Sequence, residues 1–208
     1  MLIQLKNISK KYKENQIFDN FSLNINQGEM VAITGRSGKG KSTLLNMIGL
    51  LDTPDTGDII IKGIYNPGKS EKEQVKLFRY TIGYLFQNYA LIEQQTVSEN
   101  LDIALKYVKC SDKAKRKEEV LEQVGLFNKL DSKVYQLSGG EQQRVALARL
   151  LLKQNDIILA DEPTGSLDKT NRNHVLDILK SMNSDGKTVI IVTHDPEVAH
   201  MCNKIIEL

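Results

Sequence analysis

Two textures of hydrophobic patterning run through the chain. Leu2 to Ile8 alternates apolar and polar side chains, as do Phe21, Leu23 and Ile25. Both stretches predict half-buried antiparallel strands, joined by a polar turn over Lys10–Asn15 that carries one aromatic ring, Tyr12. Residues 30–34, 157–160 and 188–193 are instead apolar throughout, the pattern of strands buried on both faces of a parallel sheet. Asp58–Lys62 and Thr81–Phe86 predict two further strands and Ile205–Ile206 a last one. Helices are predicted at Leu44–Ile48, at Ser70–Tyr80 with Val75, Leu77 and Phe78 inward, and around Arg172–Met182. Asn88 to Asn155 is helical in pattern with no clear strand. Within it, Thr96-Val97-Ser98-Glu99 has the form of a capping box opening a helix to about Tyr107. Ser111 or Asp112 caps a second helix with an apolar face of Val120, Leu121 and Val124, for which Lys113–Lys117 reads as the solvated face. The predicted fold class is α/β, with a mainly parallel central sheet, an N-terminal antiparallel β part and an inserted helical lobe. One domain spans 1–208, its α/β lobe at 1–87 and 156–208 and its helical lobe at 88–155.

Composition narrows the function classes. Twenty-eight Lys and Arg against 26 Asp and Glu leave a net charge of +2, too balanced to point to nucleic acid. No apolar run approaches the roughly 20 residues that span a bilayer. Met1–Lys6 alternates like a strand and lacks the apolar centre of a signal peptide, so the expected compartment is the cytoplasm. Cys110 and Cys202 lie far apart without metal-ligand spacing and are read as reduced thiols, one exposed and one packed.

The chemistry gathers at the ends of the apolar strands. Gly35-Arg36-Ser37-Gly38-Lys39-Gly40-Lys41-Ser42-Thr43 matches G-x-x-x-x-G-K-[ST] and follows a strand and opens a helix, as phosphate cradling requires. The glycines let backbone N–H groups face phosphate oxygens. The helix N-terminus adds positive potential, Lys41 meets the β- and γ-phosphates, and Ser42 ligates Mg²⁺. Asp161 follows the second apolar strand, where a nucleotide-binding sheet needs a carboxylate for Mg²⁺. Strand alternation points its neighbour Glu162 elsewhere, towards bound nucleotide, where it orients or deprotonates water. His194 ends the third apolar strand, placed to hydrogen-bond the γ-phosphate. Open parallel sheets bind ligands at this edge. A second anion-accepting helix start occurs at Leu137–Arg144, where Ser138 and Glu141 are spaced as a capping box around Gly139 and Gly140. Tyr12, on periodicity alone, is a surface tyrosine near a hairpin.

Taken together these residues resemble a nucleotide-binding subunit of the ATP-binding-cassette (ABC) transporters over essentially the whole chain. Gly35–Thr43 is similar to that family's Walker A loop, Ile157–Asp161 to Walker B with Glu162 as catalytic glutamate, and Leu137–Arg144 to the signature motif. Gln87 resembles the glutamine between the lobes, a further catalytic and Mg²⁺ residue; Ser166-Leu167-Asp168 resembles the D-loop and His194 the switch histidine. Tyr12 falls where the family sets an aromatic ring against adenine, reversing the surface reading. The resemblance implies ATP and Mg²⁺ as cofactors and a head-to-tail pair of cassettes, expected to be identical. Each ATP would lie between one Walker A loop and the other copy's Ser138, Gly139 and Gly140, with Asp168 nearby.

Leu44–Asp52, Gly83–Gln87 and Leu159–Asp168 are similar to the branch serving macrolide, lipoprotein-release and bacteriocin exporters. A separate membrane permease is then the expected partner, with the chain peripheral at the cytoplasmic membrane face and no direct nucleic acid. The expected permease contact is the cleft beside Gln87, including Tyr89, Leu91 and Ile92, any single one of which reads equally as packing of the lobe. Lys39 departs from the family, which places a small residue there. A ribosomal or chromosomal ATPase is the alternative, but translation relatives carry two cassettes. Chromosomal ones carry long coiled coils, and no sustained heptad lies between Gln87 and Leu137. A phosphate-loop kinase leaves the signature unexplained.

Overall fold

The computed structural model describes residues 1–165 and 167–208. An antiparallel sheet holds β1 (Ile3–Tyr12), β2 (Asn15–Ile25), β4 (Thr56–Ile61) and β5 (Ile64–Tyr65) in the order β2-β1-β4-β5. A second sheet, parallel throughout, holds β6 (Ile82–Leu85), β7 (Ile157–Asp161), β8 (Thr188–Val192), β3 (Met30–Thr34) and β9 (Lys204–Glu207) in that order. The helices are α1 (Lys41–Ile48), α2 (Glu71–Tyr80), α3 (Val97–Leu105), α4 (Lys113–Gln123), α5 (Gly139–Leu152), α6 (Lys169–Ser184) and α7 (Pro196–His200). Between Asn88 and Asn155 the described elements are all helical, α3 to α5 with two short 3₁₀ turns.

Strand alternation divides the continuous apolar runs between two cores. Val31, Ile33, Ile157, Leu159, Ile190 and Val192 point into the space between the sheets, where they meet Leu44, Leu45, Met47 and Ile48 of α1 and Ile3, Leu5 and Ile61 of the antiparallel sheet. Met30, Ile158, Ala160, Val189 and Ile191 point the other way, onto Val145, Leu147 and Leu150 of α5, Val175 and Leu179 of α6, and Leu101 and Val120 of the helical lobe. The continuous apolar sequence is thus the signature of a sheet covered on both sides.

Four local readings are corrected. The turn after β1 is only Lys13-Glu14, with Lys13 at φ 54°, because β1 runs to Tyr12, which pairs with Asn15. Lys10 is consequently buried. Lys117 does not belong to a solvated face: its ammonium donates to Ser98 at 2.7 Å and to Asp102 at 3.0 Å, tying α4 to α3. The cysteines are not one exposed and one packed but both half-buried, and burial pushes the Cys202 thiol up to about 11. The capping boxes at Thr96–Glu99 and Ser138–Glu141 form as expected, and Asp112 caps α4.

Candidate nucleotide site

Residues 35–40 connect β3 to α1 through glycines that other residues could not replace. Gly38 and Gly40 lie at φ 79° and 92°, and a Cβ on Gly40 would meet Ile17 Cγ2 at 2.4 Å. No side chain caps α1 and no acid occupies its first turn, leaving its positive end to an outside anion. The Lys41 ammonium folds across the loop, donating to the carbonyls of Gly35 at 2.9 Å and Arg36 at 3.1 Å. Arg36, Ser37, Gly38 and Lys39 are exposed, and among the described residues neither Arg36, Lys39 nor Lys41 has a carboxylate partner.

Beside α1, the Ser42 hydroxyl donates to Asp161 Oδ1 at 3.2 Å. Burial, then the charge of Glu162, raises the Asp161 carboxyl above its ordinary range, against the opposing Ser42 bond and Lys41 charge. Glu162 does not continue strand alternation. It sits at φ 46°, its N–H donating to the Val192 carbonyl at 3.0 Å, so a left-handed turn and not the pleat aims its carboxylate. That carboxylate meets His194: Oε2 lies 2.9 Å from Nδ1, with His194 largely exposed outside it. The histidine expected on the phosphate therefore holds the glutamate here. Gln87 is exposed two residues beyond Leu85, which pairs with Ala160 just before Asp161. One sheet edge thus collects Lys41, Ser42, Asp161, Glu162, His194 and Gln87.

The residues present fit a divalent ion of oxygen preference. Adjacent carboxylates, one of them half-buried, carry negative charge that Lys41 offsets only in part, and a serine oxygen touches one of them. No described cluster of three or more His, Cys, Asp or Glu forms an all-protein cage. Two protein oxygens completed by phosphate and water is the arrangement Mg²⁺ favours.

Tyr12 closes the site on the α1 side. Its ring is half-exposed, its hydroxyl donates to Asp52 Oδ2, and the Thr43 side chain lies against the same phenol. The bond to Asp52, then burial, raises the phenol above its ordinary value.

Ser138, Gly139 and Gly140 open α5 elsewhere. The Ser138 hydroxyl accepts from the Glu141 N–H at 3.3 Å while Glu141 Oε2 accepts from the Ser138 N–H at 2.8 Å, a complete capping box. The side chains of α1 enter only the core between the sheets and those of α5 only the opposite core. The two helix starts thus belong to helices packed on opposite faces of the parallel sheet.

Residues 18–165 match the model of a family described as ABC transporter. The chain is 43% identical over 209 residues to the macrolide export ATP-binding/permease protein MacB of Campylobacter jejuni, with all of this chain and 33% of that protein covered. The chain belongs to the ABC transporter family. The MacB of Pasteurella multocida is 42% identical, again over all of the chain and 33% of its own length, so this cassette spans about one third of the curated relatives it matches. Two dimeric cassette structures cover the chain completely and 94% of their own lengths, each with TM-score 0.91. One, a bacterial ABC transporter cassette, is 42% identical; the other, in a post-hydrolysis state bound to ADP and Pi, is 40% identical.

The cassette also shows supports that the sequence did not announce. Arg144 of the signature helix donates to Asn171 Oδ1, and Asn171 Nδ2 donates to Asp168 Oδ2 at 2.5 Å. Asp168 in turn caps α6, accepting from the Thr170 and Asn171 N–H groups at 3.0 Å. Arg172 clamps Asp195 at 3.0 Å and Glu197 at 2.6 Å, fixing the turn after His194. Short helix α7 had a legible signal, Asp195 as cap followed by Pro196. Ser166, the first D-loop residue, lies outside the described residues. Tyr89 and Leu91 are half-buried and pack against the helical-lobe core, while Ile92, named with them for the partner surface, is exposed. The apolar cleft beside them, about 510 Å³, is lined by Phe78, Tyr84, Phe86, Ile103 and Tyr107, with Arg79, Arg149 and Lys153 among its polar residues.

Proposed function

We propose that residues 1–208 form one ATP-binding cassette, with an α/β lobe at 1–87 and 156–208 and a helical lobe at 88–155, that hydrolyses ATP to energise a membrane permease. The cargo class is that of its branch: a peptide, lipid-linked or antimicrobial substrate moved outward. The cassette associates peripherally with the cytoplasmic membrane face through that permease. No helix among the described residues is long and apolar enough to cross a membrane.

In this reading Tyr12 stacks on adenine, and residues 35–43 wrap the phosphates, with Lys41 leaving the Gly35 and Arg36 carbonyls for the β- and γ-phosphates. Ser42 and Asp161 would hold Mg²⁺, with Gln87 reaching the same side. Bound there, the ion would supply charge neutralisation to the phosphates. Glu162 holds the attacking water in line and accepts its proton. His194, already on Glu162, orients that carboxylate and reaches the γ-phosphate. The chain's own signature serves another molecule: Ser138 and the Gly139 and Gly140 amides of one copy complete the phosphate cage of its partner, with Asp168 at the seam. Hydrolysis removes the bridging charge and the pair opens. The cleft lined by Phe78, Tyr84 and Phe86 receives the permease. Exposed Gln87, just past the strand that forms its floor, links nucleotide state to that contact.

One observation carries this reading: two anion-accepting helix starts on opposite cores of one sheet, useful together only across two copies. Tagged Glu162→Gln protein tests it. With ATP it is expected to run as a dimer on size-exclusion chromatography and to retain a few-span permease from gently solubilised membranes of its native cells. A monomer with ATP bound defeats the paired-cassette mechanism. Recovery of ribosomes or nucleic acid without a membrane protein defeats the transporter role.

A further inference from the structure

Lys10 is a charged residue on a strand, yet it is only 7% exposed, and its ammonium is set against the Asp52 carboxylate. Nζ donates to Asp52 Oδ1 and to the Thr53 carbonyl, each at 2.7 Å, and lies 4.0 Å from Asp55. The other Asp52 oxygen accepts the Tyr12 hydroxyl, and Oδ1 also accepts the Thr53 N–H at 2.7 Å. The same ammonium lies 5.0 Å from the centre of the Tyr12 ring. A second strap runs alongside: the Asp55 N–H donates to the Ser9 carbonyl at 2.9 Å, and the Lys11 N–H to Asp55 Oδ2 at 2.8 Å.

These bonds join segments that are distant in sequence but adjacent in the site. Tyr12 is the last residue of β1, at the tip of a hairpin. Asp52 belongs to the turn leaving α1, sewn back onto that helix by N–H groups of Leu51 and Asp52 that donate to the Asn46 carbonyl at 2.8 and 3.3 Å. The other end of α1 is the phosphate loop. The ring and the loop are therefore registered against one rigid helix, the ring through Asp52 beyond its C-terminal end and through Thr43 in its first turn.

We infer that Asp52, held by buried Lys10, is a positioning residue for the nucleoside: it fixes the Tyr12 ring, through the tyrosine hydroxyl, at a set place relative to the phosphate loop. The inference rests on the nucleotide-site reading above. Stacking itself needs only a ring, so a phenylalanine would serve as well were the hydroxyl idle. A half-exposed ring at a hairpin tip is otherwise free to rotate, and ordering it on each binding event would weaken the complex. The tether orders it beforehand.

The test compares ATP with inorganic tripolyphosphate, which shares the phosphates and lacks the base. Titration calorimetry of full-length wild type, Tyr12→Phe, Asp52→Asn and the double variant separates the possibilities. Tyr12→Phe is expected to weaken ATP about tenfold, as loss of a charge-assisted hydrogen bond does, and to leave tripolyphosphate unchanged. The double variant should bind ATP no more weakly than Asp52→Asn alone, because both changes cut the same link. Wild-type ATP affinity in Tyr12→Phe overturns the tether. Equal weakening of both ligands overturns it too, since the effect would then pass through the loop. A wild-type chain that binds neither ligand removes the phosphate site itself and the tether with it. Asp52→Asn leaves Lys10 buried without its charge partner and is open to misfolding; Tyr12→Phe keeps the test decisive by itself.

Discussion

The two helix starts proposed to accept phosphate are built oppositely. The start of α1 is left uncapped, follows glycines at φ 79° and 92°, and carries Arg36, Lys39 and Lys41. The start of α5 is capped by its own Ser138 and Glu141, its two glycines have ordinary negative φ, and Glu141 is further held by Lys129 at 3.2 Å. One end is shaped to envelop a phosphate and holds cations to keep it. The other is a finished helix end that can abut a phosphate supplied from outside. An enveloping site binds by itself; an abutting one acts only when something delivers its ligand. Within a single sequence, that difference separates nucleotide capture from nucleotide-dependent pairing.

The largest expected effect separates those two tasks. Lys41→Ala should abolish ATP binding by calorimetry. Gly139→Asp should leave binding by the monomer near wild type, yet remove ATP-driven dimers and lower hydrolysis by about 100-fold or more. Equal loss of binding in both variants would erase the distinction. Next comes backbone tolerance. Gly40→Ala places a Cβ against Ile17 in a left-handed conformation and should cost about 3 kcal/mol in urea denaturation. A Cβ on Gly139 meets only the Tyr89 hydroxyl, at 3.6 Å, so Gly139→Ala should change stability by less than about 1 kcal/mol.

Smaller effects sharpen the electrostatic side. Lys39→Ser should weaken ADP binding about threefold at low salt, with the difference vanishing as salt screens an exposed charge. Asp161→Asn should raise the Tm of the nucleotide-free protein by about 2 °C while abolishing hydrolysis, since it removes a half-buried carboxylate beside Glu162. The sign with pH follows from the direction of the shift. A carboxyl raised in the folded state costs stability when ionised, so the advantage of Asp161→Asn should be full at neutral pH. It should shrink as pH falls through the carboxylate range and wild type takes up its proton.

Much of the architecture was legible because it depends on period alone. Three continuous apolar runs announced a sheet covered on both sides, and the residue after each run marked the reactive edge. What escaped depends on partners distant in the chain or on single dihedral angles. Lys10 reads as a solvated lysine in a turn until Asp52, forty-two positions later, is seen to meet it. Glu162 was expected to turn by strand alternation, but its φ of 46° does the turning, and no side-chain pattern encodes that. Tyr89 and Leu91 read equally as partner contact or lobe packing; α5 decides their half-buried place, its Arg149 donating to the carbonyls of Tyr89 and Ala90 at 2.8 and 2.6 Å.

The order of the parallel sheet bears on when the site can exist during synthesis. The strand that launches the phosphate loop has β8 and β9 as its neighbours: Met30 pairs with Val189 and Val31 with Lys204. The antiparallel hairpin β1–β2 can close as soon as it leaves the ribosome. Met30–Thr34 has no strand to lie against until β8 and β9 emerge. Such long-range pairing is slow to form and exposes apolar strands meanwhile. Nucleotide binding is therefore a property the nascent cassette acquires only once β8 and β9 have emerged, long after the phosphate loop itself has been made.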